Sequence, residues 1–457
     1  MEHDALIEKV VTLSKNRGFI FRANELYGGL AGVYDYGPLG SILKNNIKAL
    51  WIKKFVEERE DMFLLDSAII MGENALTASG HVGGFSDPLV KDLVSGKEYR
   101  ADHILEENGI NVEGKTLEEM TELIKEHKIL SPEKNPLGEV REFNLMLKTS
   151  LGSSSDSSSQ AYLRPETAQG IFINYKNIVD SMHPKIPFGV AQIGKAYRNE
   201  ITPRNFIFRL RELEQMEIEY FIHPSEWEKI FEYWREEMLE WLELVGIDMS
   251  KIHEVEISEQ DRAHYSKRTI DFEFEYPFGT KELYGLAYRT DYDLKKHEEF
   301  SKTKLHYQDP LSGESYTPHV VEPSMGLDRT ILAVLLSAYK EDTLGDGAER
   351  SYLALPPQIA PYKIAVSPLV KNKDHIVEKA REVFGLLKSE FGNVTWDDNG
   401  NVGKRYRRQD EIGTPFCVVV DYDSFEDNKI SVRDRNTGEQ ERVSFDDLVS
   451  YFKEKLA

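Results

Sequence analysis

The run FIFRLRELEQMEIEYFI at 206–222 constrains this chain more than any other feature, because it alternates with a period of two along its length. Such alternation marks a long β-strand, whose successive side chains point to opposite faces of a sheet. Phe206, Phe208, Leu210, Met216, Ile218 and Tyr220 fall on one face, and Arg209, Arg211, Leu213, Gln215, Glu217 and Glu219 on the other. The first face is expected to be core. The second is polar, and the simplest reading is that its charges meet solvent, as most charged strand faces do. Upstream stand Ala196-Tyr-Arg198-Asn199-Glu200 and a Thr-Pro-Arg-Asn turn at 202–205. Arg198 and Glu200 share a face of the preceding strand, so a hairpin is expected to present arginines and carboxylates over one sheet surface.

The neighbouring stretches agree with a β-rich centre. TIDFEFEY at 269–276 also alternates, and EPSMGLDR at 322–329 leads into TILAVLLSAY, an apolar helix that belongs in a core. Pro356, Pro357 and Pro361 mark a boundary. Beyond it the strands IAVSPLV and FCVVVDY alternate with helices at 374–391 and 446–456, the pattern of a small α/β unit. Towards the N-terminus, Leu6, Val10 and Leu13 define a helix over 4–17 that stops at Gly18. A longer amphipathic helix starts at Pro38 and carries Ile42, Leu43, Ile47, Leu50, Trp51 and Phe55.

Residues 81–160 differ in character. Two charged helical stretches, Pro132, Pro136 and the serine-rich run SSSDSSS at 153–159 suggest a helical insertion with a mobile edge. Gly109 to Thr116 satisfies the P-loop pattern, but the preceding HILEEN is charged and helical where a P-loop needs a buried strand. Thr116-Leu-Glu-Glu119 reads instead as a capping box opening the next helix.

Charge and cysteine content narrow the function classes. The net charge of −22 argues against a polyanionic partner spread over the whole chain. Residues 361–457 hold 16 Lys+Arg against 18 Asp+Glu, net −2, so the other 360 residues carry −22 − (−2) = −20. The acidity therefore lies in the N-terminal part. A single cysteine, Cys417, excludes an intrachain disulfide and a cysteine-cluster metal site. No apolar run is long enough for a membrane helix, and the N-terminus lacks the pattern of a secretion signal, so a soluble, cytoplasmic protein is expected.

Three of these segments, in this order, resemble the motifs of class II aminoacyl-tRNA synthetases. YDYGPLG with its following helix is similar to motif 1, AYRNE with the long strand to motif 2, and EPSMGLDR to motif 3. Finer detail resembles the dimeric glycyl-tRNA synthetases: FRANELYGGLAGVYDYGPLG, AYLRPETAQGIF, AYRNEITPR, EPSMGLDR and, near the C-terminus, GKRYRRQDEIGTP. The likeness spans nearly the whole chain. It implies an α+β catalytic domain with an antiparallel sheet flanked by helices (1–80 and 161–355), the insertion (81–160), and a C-terminal α/β anticodon-binding domain (361–457). It also implies a homodimer, with ATP, glycine and tRNA(Gly) as partners and no membrane.

The resemblance assigns roles residue by residue. Arg198, Glu200 and Arg329 are the catalytic set: Arg198 for the α-phosphate and the amino-acid carboxylate, Glu200 for the adenine amino group, Arg329 for the γ-phosphate and the adenine face. Arg209 meets the phosphates, and Asn199, Phe208, Leu210, Leu213, Glu282, Leu283 and Gly326 complete the ATP site. Permanently charged, planar guanidinium suits both phosphate and base stacking. The family usually has phenylalanine where this chain has Leu213. Glu282 is the candidate for Mg²⁺, which prefers hard oxygen ligands. Strict alternation puts Arg289 on the face opposite Glu282, so both could serve one site only through a bulge or strand end. The glycine pocket is assigned to Arg100, Glu166, Gln215, Glu217, Glu322 and Ser324. Three glutamates there would repel one another when the pocket is empty and would welcome an ammonium. For tRNA, Arg405, Arg407 and Arg408 form a basic patch with Tyr406 between them; a solvated loop is the alternative. Two other uses of such a scaffold, a noncatalytic binding protein and an enzyme adenylating another substrate, remain. Intact Arg198, Glu200 and Arg329 count against the first, and the C-terminal unit against the second.

Overall fold

The computed structural model describes residues 2–112, 114–152, 160–345 and 347–456. The serine-rich run at 153–159, expected as a mobile edge, lies outside the described residues. A seven-stranded sheet forms the centre. Its order is Ile252–Glu256, Arg268–Tyr276, Gly279–Thr290, His319–Gly326, Glu212–Ile222, Phe188–Tyr197 and Met62–Leu64. Every neighbouring pair is antiparallel except the last.

One face of this sheet buries Met216, Ile218, Phe272, Tyr284, Leu286, Val321 and Met325. Against it pack the helix from Pro38 to Ile52, the tryptophan-rich helix Trp227–Leu244, and Leu327–Ala338, whose residues are nearly all buried. The helix from Pro38 sits so close to the segment before it that a Cβ on Gly40 would come 1.8 Å from the Phe19 carbonyl oxygen. The opposite face is apolar only at one end, where Ala168–Met182 covers Phe188, Val190, Phe221 and Val320. The rest of that face is polar.

The long strand is shorter than its alternation implies. It begins at Glu212, and the strand before it ends at Tyr197, so Arg198, Glu200 and Arg209 stand on the connection between two strands. Asn205 and Phe206 take left-handed backbone angles that interrupt any strand. Phe208 then packs edge-on to Tyr276 and Phe278, at 5.0 and 5.1 Å. The period-two pattern at 206–211 thus reflects packing of a folded loop. Nor is the polar face solvated: Gln215, Glu217 and Glu219 are all buried.

The segment 81–160 contains the two expected helices, Ala101–Glu107 and Leu117–Glu126, and the capping box between Thr116 and Glu119 is formed. It is not purely helical. Strands Glu98–Arg100, Ser86–Lys91 and Arg141–Asn144 make a three-stranded antiparallel sheet, and none of their sequences alternates cleanly between apolar and polar residues. Its hub is Asp92, which accepts hydrogen bonds from the Val94 and Ser95 amides, Ser131 Oγ and Asn135 Nδ2.

Residues 364–456 build a second core around a five-stranded sheet ordered Val394–Trp396, Ile364–Pro368, Phe416–Val420, Lys429–Asp434 and Gln440–Ser444. The first three strands run parallel and the last two antiparallel, with helices Asp374–Phe391 and Leu448–Lys455 packed on them. Among the described residues, no helix is long and apolar enough to cross a membrane.

Candidate active site

A cleft of about 650 Å³ opens over the polar face of the central sheet. Gln215 and Glu217 from one strand, Glu322, Ser324 and Gly326 from the next, and Glu282 and Gly285 from the third line its floor. Arg198, Glu200, Phe208, Arg209 and Leu210 enter from the connection after Tyr197. Arg100 reaches in from the insertion and Glu166 from the turn before the helix Ala168–Met182. Leu213, Leu283 and Arg329 line it as well. Of the residues named for ATP and glycine, only Asn199 stays outside the lining, and its amide donates to the Leu145 carbonyl at 2.6 Å.

One end of the cleft is cationic. Arg329 Nη1 donates to the Glu282 carbonyl at 2.9 Å and lies 3.1 Å from its carboxylate, while its guanidinium sits 4.5 Å over the Phe208 ring. Arg209 Nε is 3.9 Å from the Glu200 carboxylate. Arg198 Nε donates to the Pro165 carbonyl at 3.0 Å, which aims the guanidinium into the cleft beside Phe85. Arg100 is held by Asp87 at 2.9 Å and by Asp102.

The other end is anionic and buried. Glu217 accepts from the amide and hydroxyl of Thr167, from Gln215 Nε2 at 2.7 Å and from Ser324 Oγ at 3.0 Å. Glu322 accepts from Arg289 Nη1 at 2.8 Å, and Arg289 also grips Asp293 through Nε and Nη2. Glu166 accepts from Gln169 Nε2 and has the His81 ring 3.4 Å away. Burial and the neighbouring Glu166 push the Glu217 carboxyl up. Burial, opposed by Arg289 but reinforced by Glu217 and Glu166, pushes Glu322 up to about 7. Burial also acts on Glu166, yet His81 and Arg289 outweigh it and hold that carboxyl low. Glu219 lies one alternation beyond Glu217, is wholly buried and has no hydrogen-bond partner on either oxygen among the described residues; burial and Glu322 push it well above the usual range. The carboxyls of this end therefore compete for too few cations, which favours the neutral form of Glu217, Glu219 and Glu322 but not of Glu166.

Glu282 and Arg289 share the cleft because the strand that carries them is bulged. Its register against Arg268–Tyr276 shifts so that Phe272 pairs with Tyr284 and Glu273 with Glu282, leaving Leu283 as the extra residue. Asp271, opposite Gly285, lines the same region, and burial together with Glu282 pushes its carboxyl up to about 7.

Several lining groups escape sequence reasoning. Tyr265 stacks over Arg289 at 3.9 Å, and its loop shows no periodicity to read. The Arg289–Asp293 pair spans the junction of a strand and the helix Tyr292–Ser301, and its spacing of four residues was the available signal.

The basic patch at 404–408 is part of the helix Val402–Glu411 and not a loop. Arg405, expected to meet tRNA, is buried and donates to the Gly400 and Pro368 carbonyls, so its guanidinium holds two loops together and does not face solvent. Arg408 is partly buried against Asp397. Arg407 and Lys404 line a second cleft with Arg17, Tyr406 and Arg433.

Comparison with known proteins agrees with this arrangement. Residues 149–338 match the tRNA synthetase class II core domain (G, H, P, S and T), and residues 363–455 match the anticodon binding domain. The chain is 48% identical to the glycine–tRNA ligase of Caldanaerobacter subterraneus subsp. tengcongensis, over 98% of each chain. It is 47% identical to those of Clostridium acetobutylicum and Geobacillus thermodenitrificans, over 100% of each. With both domain models matched in order and nearly half of all positions shared end to end, the chain belongs to the glycine–tRNA ligase family of class II aminoacyl-tRNA synthetases.

Proposed function

We propose that the cleft activates glycine with ATP and passes the glycyl group to tRNA(Gly), as the chain's family membership indicates. The observation that carries the assignment of residues is the polarity of one cavity: the part-buried Glu166 and the buried Glu217 and Glu322 at one end, and Arg198, Arg209 and Arg329 at the other. The first end suits an ammonium with no side chain to house. The second suits a polyphosphate.

In the first step the glycine carboxylate attacks the α-phosphate, the bond to the β-phosphate bridging oxygen breaks, and pyrophosphate leaves. Charge accumulates on phosphate oxygens, so fixed cations lower the barrier and no protein nucleophile is required. Arg198 bridges the carboxylate and the α-phosphate, and Arg209 and Arg329 hold the remaining phosphates. Phe208, under the Arg329 guanidinium, and Leu213 frame the adenine, with Glu200 accepting from its amino group. Glu166, Glu217 and Glu322 hold the ammonium, and Ser324 and Gln215 fix Glu217 in place. In the second step a hydroxyl of the tRNA terminal ribose attacks the glycyl carbonyl, and AMP departs. Larger amino acids are excluded by clash with the pocket wall.

Mg²⁺ would be held by Glu282, with Asp271 close by, together with the ATP phosphates. The oxygen donors suit that ion, and one or two carboxylates are its usual share from a protein. When bound it neutralises phosphate charge. The division into a catalytic domain (1–80 and 161–355), an insertion (81–160) and an anticodon-binding domain (361–457) is part of the proposal, as are a homodimer built on the 34–52 region and a cytoplasmic location. Arg407 and Arg408 remain as tRNA contacts.

The direct test is ATP–pyrophosphate exchange with each of the twenty amino acids, beside an Arg198→Ala variant. Exchange with glycine alone, lost in the variant, is expected; exchange that survives in Arg198→Ala would remove that residue from the mechanism.

A further inference from the structure

Arg329 follows Asp328 in the first turn of the helix Leu327–Ala338, and Asp328 is buried. Its two oxygens are bound by different parts of the fold. Oδ1 accepts from the Tyr36 hydroxyl at 2.5 Å, and Oδ2 accepts from the Glu214 amide of the central strand at 2.7 Å. The Glu214 carboxylate is in turn paired with Lys44 at 2.5 Å and with Lys48, and the Lys44 ammonium lies 4.3 Å over the Tyr36 ring. Tyr36 does not line the cleft. A hydroxyl from the N-terminal segment thus closes a chain, through one carboxylate, onto the residue that precedes the cation.

We propose that Asp328 and Tyr36 are positioning residues for Arg329, fixing the first helical turn so that its guanidinium meets the phosphates of ATP in a productive place. The inference rests on the reading of Arg329 as an ATP-binding group. A carboxylate anchored at both oxygens restrains rotation of the turn, whereas one anchored at a single oxygen acts as a pivot. The guanidinium is on the end of a long lever. A turn of about 10° at the backbone moves an end group roughly 6 Å away by about 1 Å, enough to stretch a hydrogen bond of about 2.9 Å to a phosphate oxygen out of range.

The test uses the full chain in glycine-dependent pyrophosphate exchange, with Tyr36→Phe, Arg329→Ala and the double variant. Tyr36→Phe removes one hydroxyl and should raise KM for ATP about tenfold while KM for glycine stays within about twofold, the signature of a lost ground-state contact to one substrate. The double variant should be no worse than Arg329→Ala, because the two changes act through one group. An Arg329→Ala variant with normal KM for ATP would overturn the reading of the site itself. Normal Arg329 dependence combined with an unmoved KM in Tyr36→Phe, a fall in kcat alone, or additive losses in the double variant would overturn the positioning role and leave the site reading intact. Should Tyr36→Phe lose its folded yield, Asp328→Asn, which keeps one acceptor oxygen, is judged by the same split.

Discussion

Glycine affinity should follow the protonation of the carboxyl end of the cleft, and the magnitude can be worked from Glu322. Its carboxyl is pushed up to about 7 by burial and by the adjacent Glu217 and Glu166, against the pull of Arg289. An acid with a raised pKa is ionised above that value and neutral below it, and only the ionised form attracts an ammonium. With the midpoint at about 7, roughly 0.9 of the sites are ionised at pH 8 and about 0.1 at pH 6. The glycine ammonium stays protonated over the same interval, so the apparent Kd should rise about tenfold on going from pH 8 to pH 6, a loss of about 1.4 kcal/mol. Isothermal titration of glycine at pH 6, 7 and 8 measures this directly. Running it at pH 7 in two buffers of different ionisation enthalpy should also reveal proton release on binding. Glu322→Gln, which cannot titrate, should bind weakly and with a flatter profile. An affinity constant within twofold from pH 6 to 8, or one that improves towards pH 6, would refute the argument that the empty pocket stores protons.

Other perturbations test other parts of the fold. Gly40→Ala places a Cβ 1.8 Å from the Phe19 carbonyl oxygen, a backbone atom that cannot swing aside. It should lower stability by about 1–3 kcal/mol or more in urea unfolding, and an unchanged midpoint would show that the two segments can separate freely. Leu213→Phe should lower KM for ATP about two- to tenfold by adding an aromatic face beside the adenine; an unaltered KM would mean the position hardly matters. Arg405→Ala should depress the melting temperature by several degrees by freeing buried carbonyls, whereas Arg407→Ala should leave it in place and raise KM for tRNA. The reverse pattern would return Arg405 to the tRNA surface.

The sequence carries the site better than it carries the site's surroundings. Motif residues such as Arg198, Glu217, Glu322 and Arg329 converge on one cleft because each sits at a defined place on a strand, a strand end or a first helical turn. Periodicity misleads where loops pack as tightly as strands, as at Phe208, whose ring is wedged against Tyr276 and Phe278. It also fails for the polar face of Glu212–Ile222, because alternation tells which residues share a face and not what covers that face. The three-residue strand Glu98–Arg100 offers too little pattern to detect, and Arg405 looks like any exposed arginine until the Pro368 and Gly400 carbonyls are brought beside it. Tyr265 has no local signal at all: its place is set by Arg289, which is distant in the loop-to-strand path.

The extra residue at Leu283 gives this part of the chain a message written in spacing and not in composition. On the site side of it stands Glu282; beyond it Tyr284, Leu286 and Tyr288 point into the core while Gly285 and Ala287 face the cleft. Deleting Leu283 would place Tyr284 directly after Glu282 and restore strict alternation, so both sets would keep the faces they have now. What the extra residue adds is a local bend and twist of the strand, which set where Glu282 stands along the cleft.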